Sequence, residues 1–107
     1  MNMERVAFKM KLKPGCQAEY RRRRHAQVWP EIVQLLEDSG ISDYSIFLDE
    51  ETDVLFAVQK VSGNSNSQEL GHLDIQQKWW DYMADIMEVN PDNSPVSIPL
   101  SEVFHID

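Results

Sequence analysis

The sequence predicts an α+β fold with its elements in the order β-α-β-β-α-β. Three observations carry this reading. Short stretches alternate apolar with polar residues, two longer stretches repeat apolar residues at helical spacing, and Gly, Pro and Asn punctuate the joints. At 107 residues the chain is long enough for one core and too short for two, so residues 1–107 are expected to form one domain.

The first strand is read over 4–12, where Val6, Phe8, Met10 and Leu12 alternate with Arg5, Lys9 and Lys11. Lys13-Pro14-Gly15 ends it. A helical region follows over about Gln17 to Ser39, with Val28, Ile32, Leu35 and Leu36 on one face. Pro30 lies inside it, removes a backbone donor and should bend or divide the helix. Gly40 is a suitable stop. Residues 43–49 and 53–61 read as a hairpin around the acidic turn Asp49-Glu50-Glu51-Thr52-Asp53. Both alternating sets of that hairpin are apolar, at Phe47 and Leu55 as well as Ile46 and Phe56. Residues 62–67 are a polar loop, and a second helical region runs from about Gln68 to Met87, with a break near His72. Asn90-Pro91-Asp92-Asn93-Ser94-Pro95 cannot be regular structure. Residues 98–106 can supply the last strand. This order is ferredoxin-like: an antiparallel four-stranded sheet with its helices on one face. The apolar second face of the hairpin then needs cover, and a homodimer packed sheet against sheet is expected.

Composition excludes several function classes. The net charge of −8 argues against nucleic acid as a general partner, because phosphate binding needs a basic surface. The charge is uneven, since eight of the ten Lys and Arg fall within residues 1–24 and end in the run Arg21-Arg22-Arg23-Arg24. That run is read as a solvated helix face pairing with acids elsewhere. Cys16 is the lone cysteine, which points to a reducing compartment. No apolar stretch approaches the ~20 residues of a membrane span, and no secretory signal opens the chain, so a cytoplasmic protein with no membrane partner is expected. His25, His72 and His105 show no metal-ligand spacing, and the four glycines are too scattered for a phosphate loop.

Two features could carry chemistry. His25 has the only kind of side chain that gives and takes protons near neutrality without a shifted pKa. Lys78-Trp79-Trp80-Asp81-Tyr82 is dense in aromatic rings. Adjacent helical residues point about 100° apart, so one indole is expected in the core and the other in a groove or against a partner. An aromatic face is a natural platform for the C–H face of a sugar.

Together, Tyr20, Arg23-Arg24-His25, Val28-Trp29-Pro30-Glu31, Tyr44-Ser-Ile-Phe-Leu-Asp49, Trp79-Trp80 and Asn90-Pro-Asp-Asn-Ser-Pro-Val96 closely resemble the L-rhamnose mutarotase family, nearly end to end. The resemblance implies a dimeric ferredoxin-like α/β-barrel that needs no metal and no organic cofactor. It implies an isomerase that interconverts the α and β anomers of L-rhamnose. His25 is then similar to the family's proton donor, and Tyr20, Tyr44, Trp79 and Trp80 to its substrate contacts. The complementary base stays open between a Tyr hydroxyl, an acid of the Pro91–Ser94 loop and water. The family's helix tyrosine stands four residues before the histidine, whereas Tyr20 stands five before His25. In a regular helix that spacing turns the two about 140° apart. Either a one-residue π-bulge absorbs the extra residue, which is the reading favoured here, or Arg21 takes the place of Tyr20. The ferredoxin-like sheet also serves non-catalytic sugar-binding or regulatory modules and cofactor-free or haem-processing monooxygenases, and fold alone does not choose between them.

Overall fold

The computed structural model describes residues 4–26, 28–62, 70 and 73–106, the side chains of 25 and 26 excepted. Strand β1 is Glu4–Lys11, helix α1 is Gln17–Arg21, and a π-helical segment covers Arg22–Ala26. Helix α2 is Pro30–Asp38, strands β2 and β3 are Ile41–Asp49 and Val54–Val61, helix α3 is Asp74–Met83, and strand β4 is Ile98–Leu100. The sheet is antiparallel with the order β2-β3-β1-β4. This is the ferredoxin-like arrangement expected from the alternation pattern. Among the described residues no helix is long and apolar enough to cross a membrane.

Pro30 divides the first helical region rather than bending it. Trp29, the residue before it, is extended (φ −70°, ψ 129°), and Pro30 opens α2 in the first turn, where its missing N–H has no intrahelical partner to lose. Gly40 ends α2 with φ 82°, a conformation that costs glycine little. The acidic hairpin turn closes through Asp53 N–H on the Asp49 carbonyl at 3.0 Å. Asp53 takes a positive φ of 63° and its carbonyl accepts from Leu12 N–H.

The inner face of the sheet carries Phe8, Met10, Leu55 and Ala57, all buried, with Leu12 just beyond β1. Ile32 of α2 and Trp79, Trp80 and Met83 of α3 cover them. Leu12, Ile32 and Leu55 are almost wholly buried, each worth about 1.5–3 kcal/mol relative to exposure. The outer face is different. Phe47 pairs with Phe56 in register, and both are exposed, as are Ile98 and Leu100 of β4.

Three expectations need correction. The last strand is three residues long rather than spanning 98–106, and 101–106 leave the sheet, with Val103, Phe104 and Ile106 exposed. Alternation alone does not report whether a neighbouring strand continues far enough to pair with. Helix α3 stops at Met83 rather than Met87, because Lys13 N–H bonds the Ile86 carbonyl and Leu12 bridges Met87, which draws that stretch toward β1. Trp79 and Trp80 are both buried, at 5% and 4% exposure, so neither indole looks out into an open groove or onto a free surface. Helix α3 is covered on more than one side, and directions 100° apart both find cover. The expected loop at 63–67, the helix start near Gln68 and the break at His72 lie outside the described residues.

Candidate active site

A cavity of about 720 Å³ opens between the first helical layer and the edge strand β2. Tyr20, Arg21 and Arg24 line one side, and Tyr44, Ile46 and Leu48 line the sheet side. A smaller cavity of about 40 Å³ lies beside it, and six residues line both, among them Tyr20, Arg24 and Tyr44. Gln76, Trp79 and Trp80 line only the smaller one.

The helical side is built by the extra residue. Arg22–Ala26 form a π-helix directly after α1, with i→i+5 hydrogen bonding that takes up one residue more per turn than an α-helix. The insertion inferred from the Tyr20–His25 spacing is absorbed here. Tyr20 is turned inward and buried, while Arg21 stays at the rim, where its guanidinium meets Glu50 at 3.2 Å. His25 lies within the π segment, and its ring is outside the described residues.

An ion network holds this segment. Glu19 accepts from Arg22 and, at 2.6 Å, from Arg23. Arg23 also reaches α3 and the turn beyond it, with Nη1 2.7 Å from the Tyr82 carbonyl and 2.8 Å from Asp85 Oδ1, and its guanidinium lies over the Tyr82 ring at 4.6 Å. Hydrogen bonds from Arg22 first, then from Arg23, hold the Glu19 carboxyl down at about 2. Those of Asp85 and Glu19 raise the already high pKa of Arg23. Three of the four consecutive arginines therefore pair with acids, as expected, but only Arg21 and Arg22 are solvated, since the Arg23 side chain is 12% exposed.

Arg24 is the exception. Its half-buried side chain lies over the Tyr44 ring at 5.5 Å and the Trp79 ring at 5.6 Å, and among the described residues no carboxylate pairs with it. The sequence offered no signal that this arginine packs on aromatic rings without an acid beside it. Beside it, burial raises the Tyr20 phenol to about 12, against a smaller opposing influence from the Arg24 charge.

The sheet side depends on a bulge. Ser42 pairs with Lys60 and Ser45 with Val58, so Asp43 and Tyr44 together oppose the single residue Gln59. Asp43 absorbs the extra residue at φ 47°. In an unbroken strand Ile41 and Tyr44 would point to opposite faces. With the bulge Ile41 is buried, and Tyr44 lines both cavities.

Trp79 also belongs to an aromatic cluster with Trp29, edge-on at 5.0 Å, and Tyr82 at 5.7 Å. Sequence reasoning also missed Gln76, which is 4% exposed and whose Oε1 has no hydrogen-bond partner among the described residues. The Asn90–Pro95 loop is tied to α3 by Asn93 Nδ2 donating to Asp81 Oδ1 at 3.0 Å and by Gln77 Nε2 donating to the Asp92 carbonyl at 2.8 Å. Asp92 itself lines neither cavity and accepts from Ser94, which lowers its pKa. Cys16 sits at the start of α1, and His105 is exposed. Among the described residues no three His, Cys, Asp or Glu side chains group as a metal site.

Comparison with known proteins matches the chain nearly end to end. A sequence model described as L-rhamnose mutarotase matches residues 5–106. The L-rhamnose mutarotase of Bacteroides thetaiotaomicron is 67% identical over 105 residues, covering 98% of this chain and all of that protein. That of Phocaeicola vulgatus is 62% identical over the same share of each chain. The crystal structure of an L-rhamnose mutarotase from Formosa agariphila superposes with a TM-score of 0.89 at 62% identity, over 97% of this chain and 99% of that one.

Proposed function

The chain belongs to the L-rhamnose mutarotase family and is an isomerase of rhamnose anomers, and we propose that it works by acid/base-assisted ring opening and reclosure with His25 as proton donor. The observation that carries the reading is the full-length match, on a chain whose cavity gathers Tyr20 and Tyr44 below the π segment that holds His25.

The chemistry is modest. The bond between the anomeric carbon and the ring oxygen breaks as a proton reaches the ring oxygen and another leaves the anomeric hydroxyl. The open aldehyde turns about its bond to the next carbon and recloses from the other face, so no atoms or electrons are gained or lost. An acid with a pKa near neutrality suits the first transfer, and such help is worth about 10²–10⁴-fold. Tyr20, whose ionisation burial pushes up to about 12, serves as a neutral hydroxyl that holds the sugar rather than as a phenolate base. Tyr44 supplies a second hydroxyl on the sheet side, and Trp79 and Trp80 give the inner end its aromatic wall. The chemistry asks for no metal or organic cofactor. The partner is a small sugar, L-rhamnose, and neither nucleic acid nor membrane enters the reading. The working form is a homodimer joined through the outer sheet face, and the location is the cytoplasm.

Saturation-transfer NMR between the two anomers of L-rhamnose tests the mechanism. His25→Ala should exchange anomers at least ~10²-fold more slowly than the wild type while keeping the wild-type circular dichroism spectrum. Wild-type exchange in a folded His25→Ala protein would remove the histidine from the mechanism.

A further inference from the structure

We propose that Gln76 and Arg24 form the inner end of the sugar site and hold one hydroxyl of the sugar between them. The inference deepens the rhamnose reading and rests on it. It starts from the carboxamide oxygen of Gln76, which is buried and, among the described residues, accepts no hydrogen bond. A buried polar atom left unsatisfied is costly and calls for a cause, and a guest that donates to it is one. The Gln76 side chain that carries this oxygen lines the 40 Å³ cavity that adjoins the large one.

The chemistry of the wall defines the guest. Gln76 Oε1 can only accept, so the guest must donate. Arg24 can only donate, so the guest must also accept. A hydroxyl does both. The space is far too small for a sugar ring, yet it admits one polar substituent or a water. Arg24 suits the role because its charge lies over aromatic rings rather than against a carboxylate, so its N–H groups are not committed to an ion pair. The arrangement also orients rhamnose. Its methyl group satisfies neither Gln76 nor Arg24, so the methyl end belongs in the large cavity, where Val28, Val33 and Leu36 offer apolar surface.

Two sources could supply the hydroxyl, the sugar or a resident water, and the test separates them. Gln76→Met keeps the length of the side chain and removes the acceptor. Melting temperature and anomer-exchange kinetics would be measured for wild type and Gln76→Met, with L-rhamnose and its 2-, 3- and 4-deoxy forms. A sugar hydroxyl at this position predicts that Gln76→Met melts at or above the wild-type temperature. Its kcat/KM for rhamnose falls about ten- to a hundredfold, mostly through KM. One deoxy sugar is then a correspondingly poor substrate for the wild type and shows little further loss in the variant. Arg24→Met, at a position without an ion pair, should show the same selective insensitivity to that deoxy sugar. A lower melting temperature with unchanged kinetics means a structural water and overturns the proposal. So does an identical ranking of all the deoxy sugars by wild type and both variants. A wild type that fails to exchange rhamnose anomers would overturn the underlying reading as well.

Discussion

Tyr20 is a phenol whose surroundings decide what it can do. Its ring is 7% exposed, and burial lifts its ionisation from the ordinary 10 to about 12. The folded protein therefore favours the protonated form more than the unfolded chain does. That preference contributes stability in full below pH 10, and it is lost as pH rises from 10 through about 12. Phenolate absorbance gives a direct check. The difference in absorbance between wild type and Tyr20→Phe should stay flat to about pH 11 and grow only near pH 12, for as long as the fold survives. A difference that develops around pH 10 would mean that Tyr20 is open to water. The same residue had the sharpest signal in the sequence, since its spacing from His25 announced an extra residue in the helix. Gln76 and Arg24 had none. A glutamine in a helix and the fourth arginine of a run look like surface residues until tertiary packing turns them inward.

At the scale of elements, the π segment is where sequence and structure meet most closely. One residue too many between Tyr20 and His25 implied either a bulge or a displaced tyrosine, and Arg22–Ala26 are π-helical with Tyr20 buried. Glu19, Arg23 and Asp85 fasten the segment to the turn after α3. Deleting Arg22 should restore a regular helix with the tyrosine four residues before the histidine, about 40° apart in direction. The Glu19–Arg23 pair would close from an i,i+4 to an i,i+3 spacing, which a helix face still supports. Such a variant is expected to fold and to exchange anomers within about tenfold of wild type. A folded deletion variant without exchange would show that the π geometry itself is needed. Other parts of the elements were hidden in the sequence for identifiable reasons. The bulge at Asp43–Tyr44 is invisible because alternation can be read equally well from either side of it. The short β4 depends on a pairing with β1 that stops at Ala7 opposite Leu100. The burial of both Trp79 and Trp80 depends on how many layers surround α3, which helical periodicity does not report.

At the scale of the whole molecule, the sheet poses a problem that one chain does not solve. Phe47 is 63% exposed opposite Phe56, Ile98 and Leu100 add apolar surface on the same face, and Val103, Phe104 and Ile106 follow in a tail that lies outside the sheet. An exposed apolar face of this kind marks an interaction surface. The hairpin's apolar second row points to such a face, and a second copy of the chain is the partner expected to cover it. A twofold pairing would bring each Phe47–Phe56 row against the other sheet and bury both at once. At micromolar concentration the wild type should sediment at twice the 12.5 kDa of one chain. Phe47→Glu should shift it toward the single-chain mass, because a carboxylate in that interface would be buried without a partner. Phe47 faces away from the core, so the secondary structure of the separated chain should persist. Its melting temperature should fall and should no longer rise with protein concentration, as it does for a protein stabilised by association. A wild type that sediments as a 12.5 kDa species, or a Phe47→Glu variant that remains the same size as wild type, would rule this face out as the dimer interface.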